Sequence, residues 1–144
     1  YAARGPEAKR FPWGNEKPTQ PRAVFGSSRR EAGVSSEQSI HGFSPFEIAN
    51  LAGNVWEWTA DRYDANYYAS APSLNPAGPE KGEHRVIRGG GWSDLDEKDL
   101  RSASRAAMPP TTQSSDLGFR CVRDLPVPKK SIAPDTEQTI KGAK

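Results

Sequence analysis

The clearest change of hydrophobic rhythm falls between residues 43 and 68. Ser44-Pro45-Phe46-Glu47-Ile48-Ala49 predicts a short helix start, because Ser44 can cap it and Pro45 already has the φ of a first helical turn. Asn50-Leu51-Ala52-Gly53-Asn54 predicts a turn. Val55-Trp56-Glu57-Trp58-Thr59 then alternates, with Trp56 and Trp58 on one face and Val55, Glu57 and Thr59 on the other, which predicts a strand. Arg85-Val86-Ile87-Arg88 reads as a second strand that stops at Gly89-Gly90-Gly91-Trp92. A further short strand or turn is expected over Leu100 to Ala107, and a closing strand over Leu117-Gly118-Phe119-Arg120-Cys121-Val122.

The rest reads as loop. Tyr1-Ala2-Ala3-Arg4-Gly5 predicts the end of a helix with Gly5 as its cap, and Phe11-Pro12-Trp13-Gly14-Asn15 a tight cluster. Residues 16–42 are polar and rich in Ser, Arg, Gly and Pro, so a long surface loop is expected there, with others at 69–83, 93–100 and 108–116. Residues 125–144 are polar, contain Pro and Lys but no aromatic, and predict a tail that orders only against a partner or the domain's own face.

Composition supports a loop-rich domain. Hydrophobic residues make up 34% of the 144-residue chain, while Gly and Pro number 13 each. One domain with a real core fits that length. The core must come from a few large side chains, which the four Trp, four Tyr and five Phe can supply. Lys129, Lys130, Lys141 and Lys144, against Asp135 and Glu137, place the whole formal net charge of +2 on the tail. The body is balanced and shows no basic stripe, so a nucleic-acid partner is not expected. No apolar run is long enough to span a bilayer, and the single cysteine, Cys121, cannot form an internal disulfide.

Five segments in this order resemble the formylglycine-generating-enzyme-like (sulfatase-modifying-factor) family. They are Tyr1–Gly5, Phe11–Asn15, Asn50-Leu51-Ala52-Gly53-Asn54-Val55-Trp56-Glu57-Trp58-Thr59, Arg85-Val86-Ile87-Arg88-Gly89-Gly90-Gly91-Trp92, and Leu117-Gly118-Phe119-Arg120. Each is modest alone, and the ordered set is highly specific. The resemblance covers residues 1–124 and implies an α+β, C-type-lectin-like fold with short strands and few helices. In the family the segment like Tyr1–Gly5 lies well inside the domain, so the resemblance also implies that an N-terminal portion precedes the residues seen here.

The resemblance implies site residues as well. In the family a calcium ion is held by an Asn or Asp side chain, two backbone carbonyls and a Glu. By position these are Asn50, the carbonyls of Gly53 and Val55, and the Glu57 side chain, a hard-oxygen set that suits Ca²⁺. The plainer reading is that Asn50 and Glu57 hydrogen-bond the turn. A second family calcium site, near Ala23-Val24-Phe25, finds no Asn in register and is expected to be absent. Authentic formylglycine-generating enzymes bind copper through a cysteine pair soon after their Gly-Gly-Ser-Trp-like motif. Here that stretch is Ser93-Asp94-Leu95-Asp96-Glu97-Lys98-Asp99-Leu100, whose hard carboxylates cannot replace soft thiolates. Cys121 is expected to be a small buried residue.

His41 and His84 lack paired spacing and read as surface histidines rather than iron ligands. Arg88, Arg101, Arg105 and Arg120 are expected to be paired internally. The resulting expectation is a non-catalytic binding or scaffolding module, a subunit of a larger protein assembly. Its candidate partner contacts are Asp94, Asp96, Glu97, Asp99, Lys129 and Lys130, and family habit places it in the periplasm or outside the cell. The alternative is a non-heme metal oxidoreductase of the wider family, with Glu57, Asp61 or residues 94–99 supplying acid–base groups. A ligand-binding protein with a diversified surface is disfavoured, because the stretch between Gly91 and Leu117 contains neither Asn nor Tyr.

Overall fold

Strand β1 runs over Trp56–Arg62 and is the centre of the architecture. A computed structural model supplies the structure of the protein, which describes residues 1–27 and 41–123. One helical turn follows, α1 at Tyr67–Ser70, then β2 at Arg85–Arg88, β3 at Ala106–Met108 and β4 at Leu117–Gly118. The four strands form one sheet in the order β3-β2-β1-β4. β1 and β2 pair antiparallel, Glu57 opposite Arg88 and Trp58 opposite Ile87, with a shift of register before Arg62 meets Arg85. β4 pairs with β1 in parallel, Trp56 opposite Leu117 and Glu57 opposite Gly118. The Trp56 amide starts that ladder by donating to the Asp116 carbonyl at 2.7 Å.

The β-branched and aromatic residues of β1 and β2 explain why these segments pair. Val86, Ile87 and Trp56 are buried on the sheet, with Trp92 just past the end of β2. A second cluster, Phe11, Ala23, Ala52 and Leu100, packs with Trp13 and Phe25. Phe11 stacks on Trp13 with ring centroids 5.2 Å apart. Loops therefore carry as much of the core as strands do.

Several expectations need correction. No helix starts at Ser44: Glu47 adopts φ +59, which breaks a right-handed helix, and the Ser44 hydroxyl instead accepts the Phe46 and Ile48 amides in a turn. Residues 16–42 are not wholly a surface loop, because Ala23 and Val24 are buried against the turn at Gly53. The closing strand ends at Gly118, so Cys121 lies beyond it and is exposed rather than buried. The short strand or turn expected over Leu100–Ala107 is met by a turn followed by the start of β3 at Ala106, whereas α1 was not foreseen.

Other expectations are met. The Gly5 amide donates to the Tyr1 carbonyl at 2.9 Å with Gly5 at φ +65, so the glycine closes a turn as expected, although residues 1–5 themselves form a turn and not a helix. A side chain there would strike Pro45, 2.8 Å from the position of an added Cβ. The predicted tail, with Lys129 and Lys130, lies outside the described residues.

Candidate functional site

The turn that leads into β1 is held on three sides. Asn50, Gly53 and Asn54 all have positive φ, which curls the backbone tightly. The Gly53 amide donates to the Gly89 carbonyl and the Asn54 amide to the Val24 carbonyl, each at 2.8 Å. The Trp92 amide donates to the Asn54 carbonyl at the same distance. The turn is thus bonded to the segment after β2 and to residues 23–24.

In front of this turn lies a cleft of about 570 Å³, bordered by Asn50, Asn54, Val55, Glu57 and Arg120. Arg120 reaches back over β4 to make a bidentate pair with the Glu57 carboxylate, Nε to Oε2 at 2.6 Å and Nη2 to Oε1. Two further N–H groups donate to the carbonyls of Ala49 at 3.1 Å and Asn50 at 3.0 Å. The structure therefore brings Asn50, Val55 and Glu57 to one cleft, while Gly53 is buried behind it and does not line it. Asn54, which the sequence reading passed over, adds a further oxygen. Its side-chain Oδ1 is buried without a hydrogen-bond partner among the described residues.

The stretch after Trp92 is organised differently. Asp94 Oδ2 accepts the Gly91 amide at 2.7 Å. Burial pushes its pKa above the ordinary carboxylate value, with Asp99 and Asp116 adding like-charge repulsion. Asp116, by contrast, titrates below the ordinary value. Burial acts to raise it, but hydrogen bonds from the Ser114 and Ser93 hydroxyls outweigh that, Ser93 lying at 2.6 Å. Asp96 pairs with Lys98 at 2.7 Å and Glu97 lies 3.8 Å from Arg10. The acids of residues 94–99 are thus largely engaged within the domain, not presented as a free acidic face. Among the described residues no group of three or more His, Cys, Asp or Glu side chains is placed to hold a metal ion. Both histidines are exposed, as expected.

The arginines are paired internally, though mostly with carbonyls and aromatic rings rather than carboxylates. Arg105 lies between the rings of Tyr63 and Tyr68, 4.8 and 4.6 Å from their centroids, and donates to the carbonyls of Asp64 and Ala65. Arg88 donates to the Tyr68 hydroxyl at 2.9 Å and to the Ser104 carbonyl at 2.8 Å. These contacts fix α1 to the sheet. Sequence alone had no signal for them, since Tyr63 and Tyr68 fall among loop residues with no period.

A mixed sheet of short strands, one helical turn and long ordered loops defines a loop-rich α+β domain of the formylglycine-generating-enzyme-like type. The chain belongs to the family described as "Sulfatase-modifying factor enzyme 1-like domain", whose model matches residues 1–125. It is 36% identical to the formylglycine-generating enzyme of Streptomyces coelicolor over 146 residues, 92% of this chain and 46% of that protein. It is 32% identical to the inactive C-alpha-formylglycine-generating enzyme 2 of Mus musculus, over 92% of this chain and 42% of that protein. Among solved structures, Treponema denticola variable protein 1 superposes with a TM-score of 0.65 at 25% identity, over 83% of this chain and 42% of that one. The chain spans less than half the length of the curated relatives it matches. No helix among the described residues is long and apolar enough to cross a membrane.

Proposed function

We propose that this chain is a non-catalytic binding or scaffolding module, a subunit of a larger protein assembly. The observation that carries the reading is the position of sulfur. The chain's single cysteine lies exposed beyond β4, and the stretch after Trp92 offers only carboxylates. A cuprous centre needs soft thiolates, and one surface thiol cannot supply a pair. A relative named as inactive shows that this family includes proteins without the activity. What remains is a rigid sheet that presents long loops, an arrangement suited to recognition. On the same reading the exposed parts of residues 94–99, together with Lys129 and Lys130, are contacts with other subunits.

Purification of the intact protein from its native source under mild conditions tests this. A partner protein in constant stoichiometry through successive columns is the expected result. A monomer that carries a transition metal and consumes O₂ with a thiol or small-molecule substrate would replace the reading with the oxidoreductase one.

We further propose a structural Ca²⁺ beside the turn, held by Asn50, the Gly53 and Val55 carbonyls and Glu57, which the ion would reach only by displacing Arg120 from the Glu57 carboxylate and turning the Gly53 carbonyl into the cleft it does not now line. The buried Asn54 Oδ1 gives the cleft an oxygen that lacks a donor, and hard oxygens are what calcium takes. Bound there, the ion would neutralise loop oxygens and tie the turn to β1. It would do no chemistry. Affinities near those of extracellular modules would suit a periplasmic or extracellular location. Chelation should lower the unfolding free energy by about 3 kcal/mol when the free ion had stood near a hundred times its Kd. Calcium, but not magnesium, should restore it. An unchanged melting curve after exhaustive chelation, with no calcium found by elemental analysis, would remove the ion from the account.

A further inference from the structure

β4 stays beside β1 for two residues only. Past Glu57, on that side, the residues from Trp58 to Arg62 have no paired strand among the described residues. A sheet edge of this kind is a template for another strand. It opens on a groove of about 800 Å³, with Leu51 and Trp58 among its apolar wall residues and Val122, 88% exposed, at one side.

The charge around the groove has one sign. Among the described residues Glu57 is the only acidic one in its lining, and Arg120 neutralises it. Arg4 and Arg88 also line the groove, and among the described residues neither has a carboxylate partner. Arg4 donates to the Ala8 carbonyl at 3.1 Å, and Arg88 to neutral oxygens of Ala103, Ser104 and Tyr68. Those bonds hold the Arg88 guanidinium in place without cancelling its charge. The Ser102 hydroxyl, another lining group, is buried without a hydrogen-bond partner among the described residues.

We propose that this groove takes an extended, acidic polypeptide segment, which adds to the open edge of β1 near Arg4 and sends a carboxylate side chain across the sheet face, past β1, to Arg88 on β2. Main-chain bonds to the edge give such a complex its affinity, and alternate side chains its specificity. A charge-assisted bond to a guanidinium already fixed by carbonyls selects an acid over an amide. The inference rests on the binding-module reading and names the chemistry of the partner.

A phage library of random linear peptides, selected on the purified full chain, tests it. Selected sequences should share a strand-forming stretch with at least one Asp or Glu. A synthetic peptide of that consensus should bind the wild type and lose at least about tenfold in affinity against Arg88→Gln, a loss of about 1.4 kcal/mol. Replacing its acid by Lys should abolish binding. Because Arg88 also supports the fold, Arg4→Glu is the second variant: Arg4 is exposed, and reversing its charge should weaken the same peptide with an unchanged melting temperature. A consensus without an acid, or one that both variants bind as the wild type does, overturns the groove assignment and leaves the binding-module reading standing. Selection that enriches nothing also overturns the groove assignment, while the binding-module reading is decided by the native purification.

Discussion

Gly53→Ala should lower the unfolding free energy by about 3 kcal/mol, the sum of roughly 1–2 for a left-handed residue with a Cβ and roughly 1–3 for overpacking. Gly53 has φ +74, and an added Cβ would sit 2.6 Å from the Val24 carbonyl oxygen and 3.0 Å from the Ala23 side chain. The nearest atom is backbone, so it cannot swing aside as a side chain would. Relief requires the turn to move off residues 23–24, which breaks the bond from the Asn54 amide to the Val24 carbonyl. Gly118→Ala is the matched control. Its φ is not positive and its nearest contact is the Val55 side chain at 3.3 Å, so its cost should stay below about 1 kcal/mol. Urea unfolding of both variants decides the matter. Equal midpoints would mean that the turn tolerates a side chain and is not held against the core as described.

Arg120→Gln should cost about 2 kcal/mol, between the small value of an exposed pair and that of a buried one, because the Arg120 side chain is 35% exposed. Glu57 loses its bidentate partner while only 19% of its side chain is exposed, and the carbonyls of Ala49 and Asn50 lose their donors. Little of this should depend on salt, because a sheltered pair is weakly screened. The double variant Glu57→Gln/Arg120→Gln should recover part of the loss, since it no longer leaves a charge without a partner. If Arg120→Gln melts within a degree or two of the wild type, Arg120 is a surface ornament and the cleft is not organised around Glu57.

The parts of this fold that a reader could take from the sequence are those with a local cause. Alternation of Trp56 and Trp58 placed β1, because a period of two has no competing interpretation there, and the β-branched pair Val86-Ile87 stopped by Gly89-Gly90-Gly91 placed β2. Gly5 declared the close of its turn from a local cause too. Ser44-Pro45 misled because cap and proline chemistry is shared by helix starts and turns, and only the left-handed Glu47 separates them. Ala23 and Val24 were hidden inside a polar stretch, where burial is decided by the distant Gly53 rather than by neighbours. In the candidate site, Asn50 and Glu57 were legible through family resemblance, whereas Asn54, Tyr68 and the unpaired charge of Arg88 depend on tertiary contacts that leave no periodic trace.

The parallel pairing of β4 with β1 also sets an order of events during synthesis. β1 is complete at Arg62, yet its parallel neighbour does not exist until Leu117 and Gly118 have been made. At about 5–20 residues per second, residues 63–116 take about three to ten seconds to emerge. Throughout that interval β1 lacks its β4 partner and Glu57 lacks the Arg120 guanidinium. A ribosome-bound chain therefore passes through a stage in which β1 is open to a chaperone, or to the strand of another molecule, before β4 has been made.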